Sequence, residues 1–342
     1  MEESFFISTD GKTKVVYYIY NENITTPRAV LQISHGMQEH VTRYEPFAKF
    51  LNDNGIIVCG NDHLGHGKTS KGTGNDGYFA KKHGADYVLN DLHKMTLIIK
   101  EKYPNIPVFL MGHSMGSFFA RLYASKFPNE IDGLIACGTS GKVKGATLGL
   151  LILDILKLFK GGKSTSDLAE NIMCKSYFKY IPNKTSKFDW ITSNEEELKK
   201  YLSNERCSIR FTVGAYHDMV KTLKRVNTNS WAKKINKDMP ILLISGAQDP
   251  VGQYGKGVCQ VYSLLEKQKV KHIDLRLYSN ARHEPFNEKE PTRHEFYNDV
   301  LSFILNNLII PPLSRGGGKQ SLTERLKDVN ALLTLNTTCS TT

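Results

Sequence analysis

No two of the six cysteines in this 342-residue chain stand close enough to make a CxxC pair; they are scattered at Cys59, Cys137, Cys174, Cys207, Cys259 and Cys339. That spacing excludes a zinc ribbon or a thioredoxin-like redox pair. The opening MEESFF has neither a basic stretch nor an apolar run, so no secretory leader is expected, and the thiols read as free in a reducing, cytoplasmic compartment. Long hydrophobic runs are missing too. The best candidate, residues 145–159, carries Asp154 and Lys157 and is shorter than the about 20 residues a bilayer demands. Acidic residues are outnumbered, 34 against 45 basic, for a net charge of +11. The lysines are dispersed, as in KEKYPN, EELKKYLS and SWAKKINK, with no basic helix interleaved with aromatics. Nucleic acid is therefore not an expected partner. The charge reads as a solvated surface, with peripheral contact to an anionic membrane as the alternative.

What is present is the composition of a soluble globular enzyme, 40% hydrophobic and 23% charged. Short apolar runs with strand character recur at 15–20, 29–34, 56–60, 108–112, 134–137, 241–245 and 273–278. Stretches with helical spacing lie between several of them, at 44–53, 86–102, 115–126, 257–269 and 292–305. Strands alternating with helices predict an α/β fold with a mostly parallel sheet flanked by helices. The alternation stops between 140 and 237, where only helical patterns occur (145–160, 194–203, 216–234). The expected organisation is a core in two parts, 1–139 and 238–310, a mainly helical cap inserted over 140–237, and a tail at 311–342 that is disordered or foreign to the domain.

The chemistry starts at Gly112-His113-Ser114-Met115-Gly116, a G-x-S-x-G between an apolar strand-like run and a helix-like run. A sharp strand-to-helix turn there projects the serine hydroxyl at a helix N-terminus, and the glycines make room for the backbone that must pass close by. A serine hydroxyl needs a base, and the base needs a carboxylate to orient it. Downstream, ILLISGAQDPVG and LRLYSNARHEPFNE each read as strand then loop, and they deliver Asp249 and His283 in the order Ser, Asp, His. The expectation is Ser114 as nucleophile, His283 as base and then acid, and Asp249 as the residue fixing the imidazole tautomer. Oxyanion donors are expected from the backbone N–H of Met115 and of Met37, which follows the strand 29–34 in LQISHGMQEH. His63 and His66 in NDHLGHG have no third ligand nearby and read as a structural loop, so no metal and no cofactor are expected.

Together HGMQEHVTRY, NDHLGHG, GHSMGS, SGAQDPVG and ARHEPFNE resemble the monoacylglycerol lipase and lysophospholipase-like branch of the α/β-hydrolases, the serine aminopeptidase S33 type. The resemblance runs from about Gln32 to Asn307, with the five motifs in the family's order. It implies the α/β-hydrolase fold, Ser114, Asp249 and His283 as a triad, and Met37 and Met115 as oxyanion donors, in agreement with the reading from the residues. It further implies a single-chain lipid ester as substrate, a monoacylglycerol or lysophospholipid. Acyl transfer and short-ester hydrolysis use the same triad and stand as alternatives; a non-catalytic module would be expected to have lost a triad position. Two positions depart from the family, Gln38 and Ser117, where glycine is frequent. In the cap, Leu148, Leu151, Ile152 and Ile155 fall mainly on one helical side and are expected to wall the acyl site.

Overall fold

The structure is a computed structural model that describes residues 1–178, 181 and 185–308. The tail expected at 311–342 lies outside the described residues. In chain order the elements are β1 (Glu2–Ile7), β2 (Lys14–Tyr20), β3 (Ala29–Ser34), α1 (Glu45–Asn52), β4 (Ile56–Asn61), α2 (Gly67–Ser70), α3 (Gly84–Lys102), β5 (Val108–His113), α4 (Met115–Lys126) and β6 (Gly133–Cys137). The helices α5 (Ala146–Lys160), α6 (Asp167–Cys174), α7 (Glu195–Ser203), α8 (Val213–Val226) and α9 (Asn229–Lys233) follow. The chain then returns to β7 (Ile241–Gly246), α10 (Lys256–Lys267), β8 (Ile273–Tyr278) and α11 (Thr292–Asn307).

One eight-stranded sheet runs β1-β2-β4-β3-β5-β6-β7-β8. β2 is antiparallel to both neighbours, and the six strands from β4 to β8 are parallel. The expected α/β architecture is therefore the observed one. The apolar runs of β3, β4, β5 and β7 are buried at every position, as strands covered on both faces must be. One core layer holds Phe47, Leu51, Phe296 and Ile304 from α1 and α11; the other holds Leu92, Met95, Phe119 and Val258 from α3, α4 and α10. From β3 the chain passes through α1 to β4 on one side, then returns through α3 to β5 on the other side of β3. Loops leaving β3 and β5 thus diverge at their carboxyl ends, which is where open α/β sheets build their sites.

Between β6 and β7 the chain forms the helices α5 to α9, as the helical patterning of that stretch predicts. The single helix expected over 216–234 is two. Asn227 breaks it, its side-chain amide donating to the carbonyls of Ser140, Gly141 and Leu223, and the Thr228 hydroxyl caps the next helix by accepting from Trp231 N–H. α8 packs on both α5 and α4, so it joins the inserted helices to the sheet's own helical layer. No helix among the described residues is long and apolar enough to cross a membrane.

Candidate active site

Ser114 sits between β5 and α4 at φ 52° and ψ −122°, a backbone conformation that strains any residue with a side chain. The turn is possible only because its neighbours are glycines. A Cβ on Gly112 would stand 2.3 Å from the Gly116 carbonyl oxygen, and one on Gly116 would stand 1.9 Å from that of Ser34. The strain is held by two bonds: Ser114 N–H donates to Cys137 O at 2.9 Å, and the Ser117 hydroxyl donates to Ser114 O at 2.6 Å. Ser117, one of the two departures from the family, thus fixes the turn from inside the helix.

His283 and Asp249 come from the loops after β8 and β7. His283 Nδ1 donates to Asp249 Oδ1 at 2.9 Å, and both residues are buried. The Asp249 carboxylate also accepts from Val251 N–H at 2.8 Å and from the Ser245 hydroxyl at 3.1 Å, so its orientation is set from three sides. The other ring nitrogen, Nε2, is buried with no hydrogen-bond partner among the described residues. His283 and Ser114 both line a small cavity of about 20 Å³, room for one water. The two residues expected to work together therefore border one small cavity.

The loop after β3 closes that space. A Cβ on Gly36 would stand 3.1 Å from Ser114 Cβ, so the loop passes directly against the serine. Met37 and Ser114 line the same cavities, and Met115 is the first residue of α4, whose opening N–H groups have no partner within the helix. Gln38 takes φ 58°, the left-handed region that favours glycine, and its side-chain amide holds it there by donating to Ile209 O. Beneath the loop, His35 Nδ1 faces Gly36 O at 2.8 Å while its Nε2 accepts from His63 N–H at 2.9 Å, which requires a neutral ring. Burial lowers all three histidines of this cluster: His35 lies well below its ordinary value, His63 at about 3 and His66 at about 4. His63 Nε2 faces the Ser34 hydroxyl at 3.0 Å, and the rings of His63 and His66 pack against that of His35.

A second cavity, of about 440 Å³, opens from Ser114 into the inserted helices. Its walls are mostly apolar: Phe118 from α4, Leu148 and Ile152 from α5, Ile172 and Met173 from α6, and Met219, Val220 and Leu223 from α8. Of the four cap residues expected at the acyl site, Leu148 and Ile152 are among those lining this cavity, Leu148 with 61% of its surface exposed. Leu151 and Ile155 are not. They are 55% and 48% exposed and do not line the cavity; at about 100° per residue Ile155 lies about 20° and Leu151 about 60° from Leu148, on the side away from Ile152. Sequence reading missed the aromatic wall: Trp190 lines both cavities, and its ring lies 5.0 Å from that of His283.

The comparisons fit this geometry. Residues 25–290 match the family model described as serine aminopeptidase, S33. A monoglyceride lipase homolog of Monkeypox virus is 25% identical over 86% of this chain and 95% of its own length. Human monoglyceride lipase is 23% identical over 87% and 88%. Among solved structures, a thermostable carboxyl esterase from Bacillus coagulans superposes with a TM-score of 0.84 at 33% identity, covering 90% of this chain and 98% of its own. A soluble variant of monoglyceride lipase from Saccharomyces cerevisiae, at 22% identity and a TM-score of 0.72, covers 89% and 94% and shares the fold. The chain belongs to the serine aminopeptidase S33 family, in the monoacylglycerol lipase-like branch of the α/β-hydrolases, and is an ester hydrolase.

Proposed function

We propose that the protein is a serine carboxylic-ester hydrolase that cleaves single-chain lipid esters, monoacylglycerols or lysophospholipids, through an acyl-enzyme. The observation that carries the reading is that Ser114 and an Asp249-oriented His283 line one water-sized cavity, with Ser114 also lining a larger apolar one. The Ser114 hydroxyl attacks the ester carbonyl and His283 Nε2 takes its proton. The oxyanion is met by the N–H groups of Met37 and Met115. Collapse expels the alcohol with the proton from His283. Water then repeats the sequence on the acyl-enzyme and releases the acid. Every group the two steps need is on this chain.

The acyl group belongs in the 440 Å³ cavity; at about 30 Å³ per water-sized atom it has room for roughly fifteen heavy atoms of a chain. Hydrolysis of a long-chain monoacylglycerol, a lysophospholipid and a short aryl ester by the purified protein tests the substrate class, with two variants as the discriminating arm. Ile152→Trp fills the cavity. It is expected to lower kcat/KM for the long-chain ester by about 10- to 100-fold, the equivalent of losing the burial of one large apolar group, about 1.5–3 kcal/mol. The aryl ester, too short to reach Ile152, keeps its rate. Leu97→Trp, at an exposed position of α3 outside the cavity lining, changes neither. Equal losses on both esters would mean that Ile152 packs the fold and that the cavity does not hold the acyl chain.

The reading extends to an anionic lipid surface as partner. α5 leaves Leu151, Ile155, Leu158 and Phe159 exposed, and the loop just before it contributes Lys142 and Lys144 to an open groove of about 1080 Å³ that Lys256 and Lys267 also line, with no acidic residue in its lining. Val143 and Lys144 border both the groove and the acyl cavity, so a lipid surface seated there faces the cavity mouth. Flotation with vesicles of phosphatidylglycerol and phosphatidylcholine is expected to carry the protein, less so at high salt or after glutamine replacement of the four lysines. Equal flotation with phosphatidylcholine alone removes the lysines from the reading. The same proposal places the enzyme in the cytoplasm, in keeping with the buried free thiols of Cys59, Cys137 and Cys207.

A further inference from the structure

Behind the triad lies a buried group of charges that the mechanism above does not use. Glu39, Arg43 and Tyr44 come from the loop after β3, His113 from the last position of β5, and Glu284 from the residue after His283. Arg43 reaches both carboxylates: Nη1 donates to Glu39 Oε2 at 3.0 Å, and Nη1 and Nη2 grip Glu284 at 2.7 Å each. Glu39 Oε1 accepts from the Tyr44 hydroxyl at 3.0 Å, from His113 Nδ1 at 2.7 Å and from Gly36 N–H. The opposite nitrogen of His113 stands 3.3 Å from the backbone carbonyl oxygen of His283, and the two rings are 4.7 Å apart.

We propose that Glu39 and His113 form a positioning pair that couples the oxyanion loop to the general base, an inference that rests on the serine-hydrolase reading above. Two arguments fix the charge state. Both ring nitrogens of His113 face acceptors, a carboxylate and a carbonyl, so both carry hydrogen and the ring is an imidazolium. The count agrees: the two buried carboxylates have one guanidinium between them, and a second cation is needed to balance them away from water. Burial by itself pulls His113 down, but the charge and hydrogen bond of Glu39 outweigh it and raise the ring above its ordinary value. For Glu39, burial pushes up, and His113 with Arg43 brings the carboxyl well below the ordinary range. One carboxylate thus holds Gly36, on the oxyanion side of Ser114, while its imidazolium partner, the residue before Ser114, holds the backbone of His283. Metal binding by Glu39, His113 and Glu284, whose ligand atoms lie within 4.8 Å of one another, is disfavoured because Arg43 and His113 already neutralise the carboxylates.

The test is a charge-balance cycle on a short aryl ester, read as kcat, KM, the rate of Ser114 labelling by a fluorophosphonate, and thermal unfolding. Glu39→Gln keeps the shape but leaves two cations to one carboxylate. It is expected to lower kcat and labelling by about 100-fold, the scale of a 1 Å misplacement, with KM changed less than about threefold. Glu39→Gln/His113→Asn restores the balance and is expected to recover about tenfold over Glu39→Gln, a rescue that two independent packing defects would not give. If Glu39→Gln does not fold, His113→Asn alone carries the test, with the same fall in kcat at constant KM. A kcat within about twofold of the parent in either folded single variant, or losses that multiply in the double variant, overturns the pair. Ser114→Ala is run alongside: activity surviving there sinks the hydrolase reading itself, independently of Glu39.

Discussion

Ser114→Ala is expected to abolish ester hydrolysis, with a fall in kcat of about 10⁴-fold or more, and to leave the melting temperature close to that of the parent. The two expectations have different sources. The rate falls because, in the proposed mechanism, the reaction loses its attacking oxygen. The stability holds because Ser114 Oγ makes no hydrogen bond among the described residues, and the bonds that keep the turn use only the backbone of Ser114, its N–H to Cys137 O and its carbonyl from the Ser117 hydroxyl. Alanine meets the same strain at φ 52° as serine, so nothing new is added to the folded state. Activity on a short aryl ester and fluorophosphonate labelling check the first expectation, and calorimetry the second. Residual activity within about tenfold of the parent would remove Ser114 from the nucleophile's role.

The parts of the site that the sequence made legible are those tied to local backbone demands. Gly112 and Gly116 mark a turn that admits no Cβ, and Asp249 and His283 each follow an apolar strand in the order the fold requires. β5 and β7 were readable for the same reason: VFLMGH and ILLISG are continuous apolar runs, and both are buried throughout. β1 was not. In EESFFI only Phe6 is buried, and an edge strand pairing through its backbone leaves no periodicity to read. α5 misled in the other direction. LGLLILDILKLF is apolar over more than one side, so its spacing shows a helix without showing which side faces the cavity, and only Leu153 is fully buried. The charged knot of Glu39, Arg43, His113 and Glu284 was invisible because a carboxylate that will be buried and one that will be solvated look alike in a sequence. Its members come from three distant segments, brought together at the carboxyl ends of the parallel strands β3, β5 and β8.

Asp249→Asn is expected to cost on the order of 10²–10³ in kcat, less than the about 10⁴ expected for Asp249→Ala. The difference follows from the partners of the carboxylate. An asparagine offers one acceptor oxygen and one NH₂ group. Val251 N–H at 2.8 Å is a fixed donor aimed at Oδ1, the same oxygen that accepts from His283 Nδ1 at 2.9 Å, so the amide oxygen must stay on that side. The NH₂ then faces the Ser245 hydroxyl, 3.1 Å from Oδ2, which can rotate from donor to acceptor and turn its hydrogen toward Gly246 O. His283 therefore keeps its Nδ1–H tautomer and its Nε2 remains the base. What is lost is the negative charge that stabilises the imidazolium as the proton arrives. Asp249→Ala loses the charge and the orientation together. If Asp249→Asn falls as far as Asp249→Ala, the amide has turned its NH₂ to His283 and imposed the wrong tautomer. A further Ser245→Ala substitution then makes no difference, whereas in the expected arrangement it strands the amide hydrogens and lowers kcat again. A loss below about tenfold in Asp249→Asn would show that the base draws its orientation from elsewhere, and the short distance between Asp249 and His283 would have no catalytic meaning.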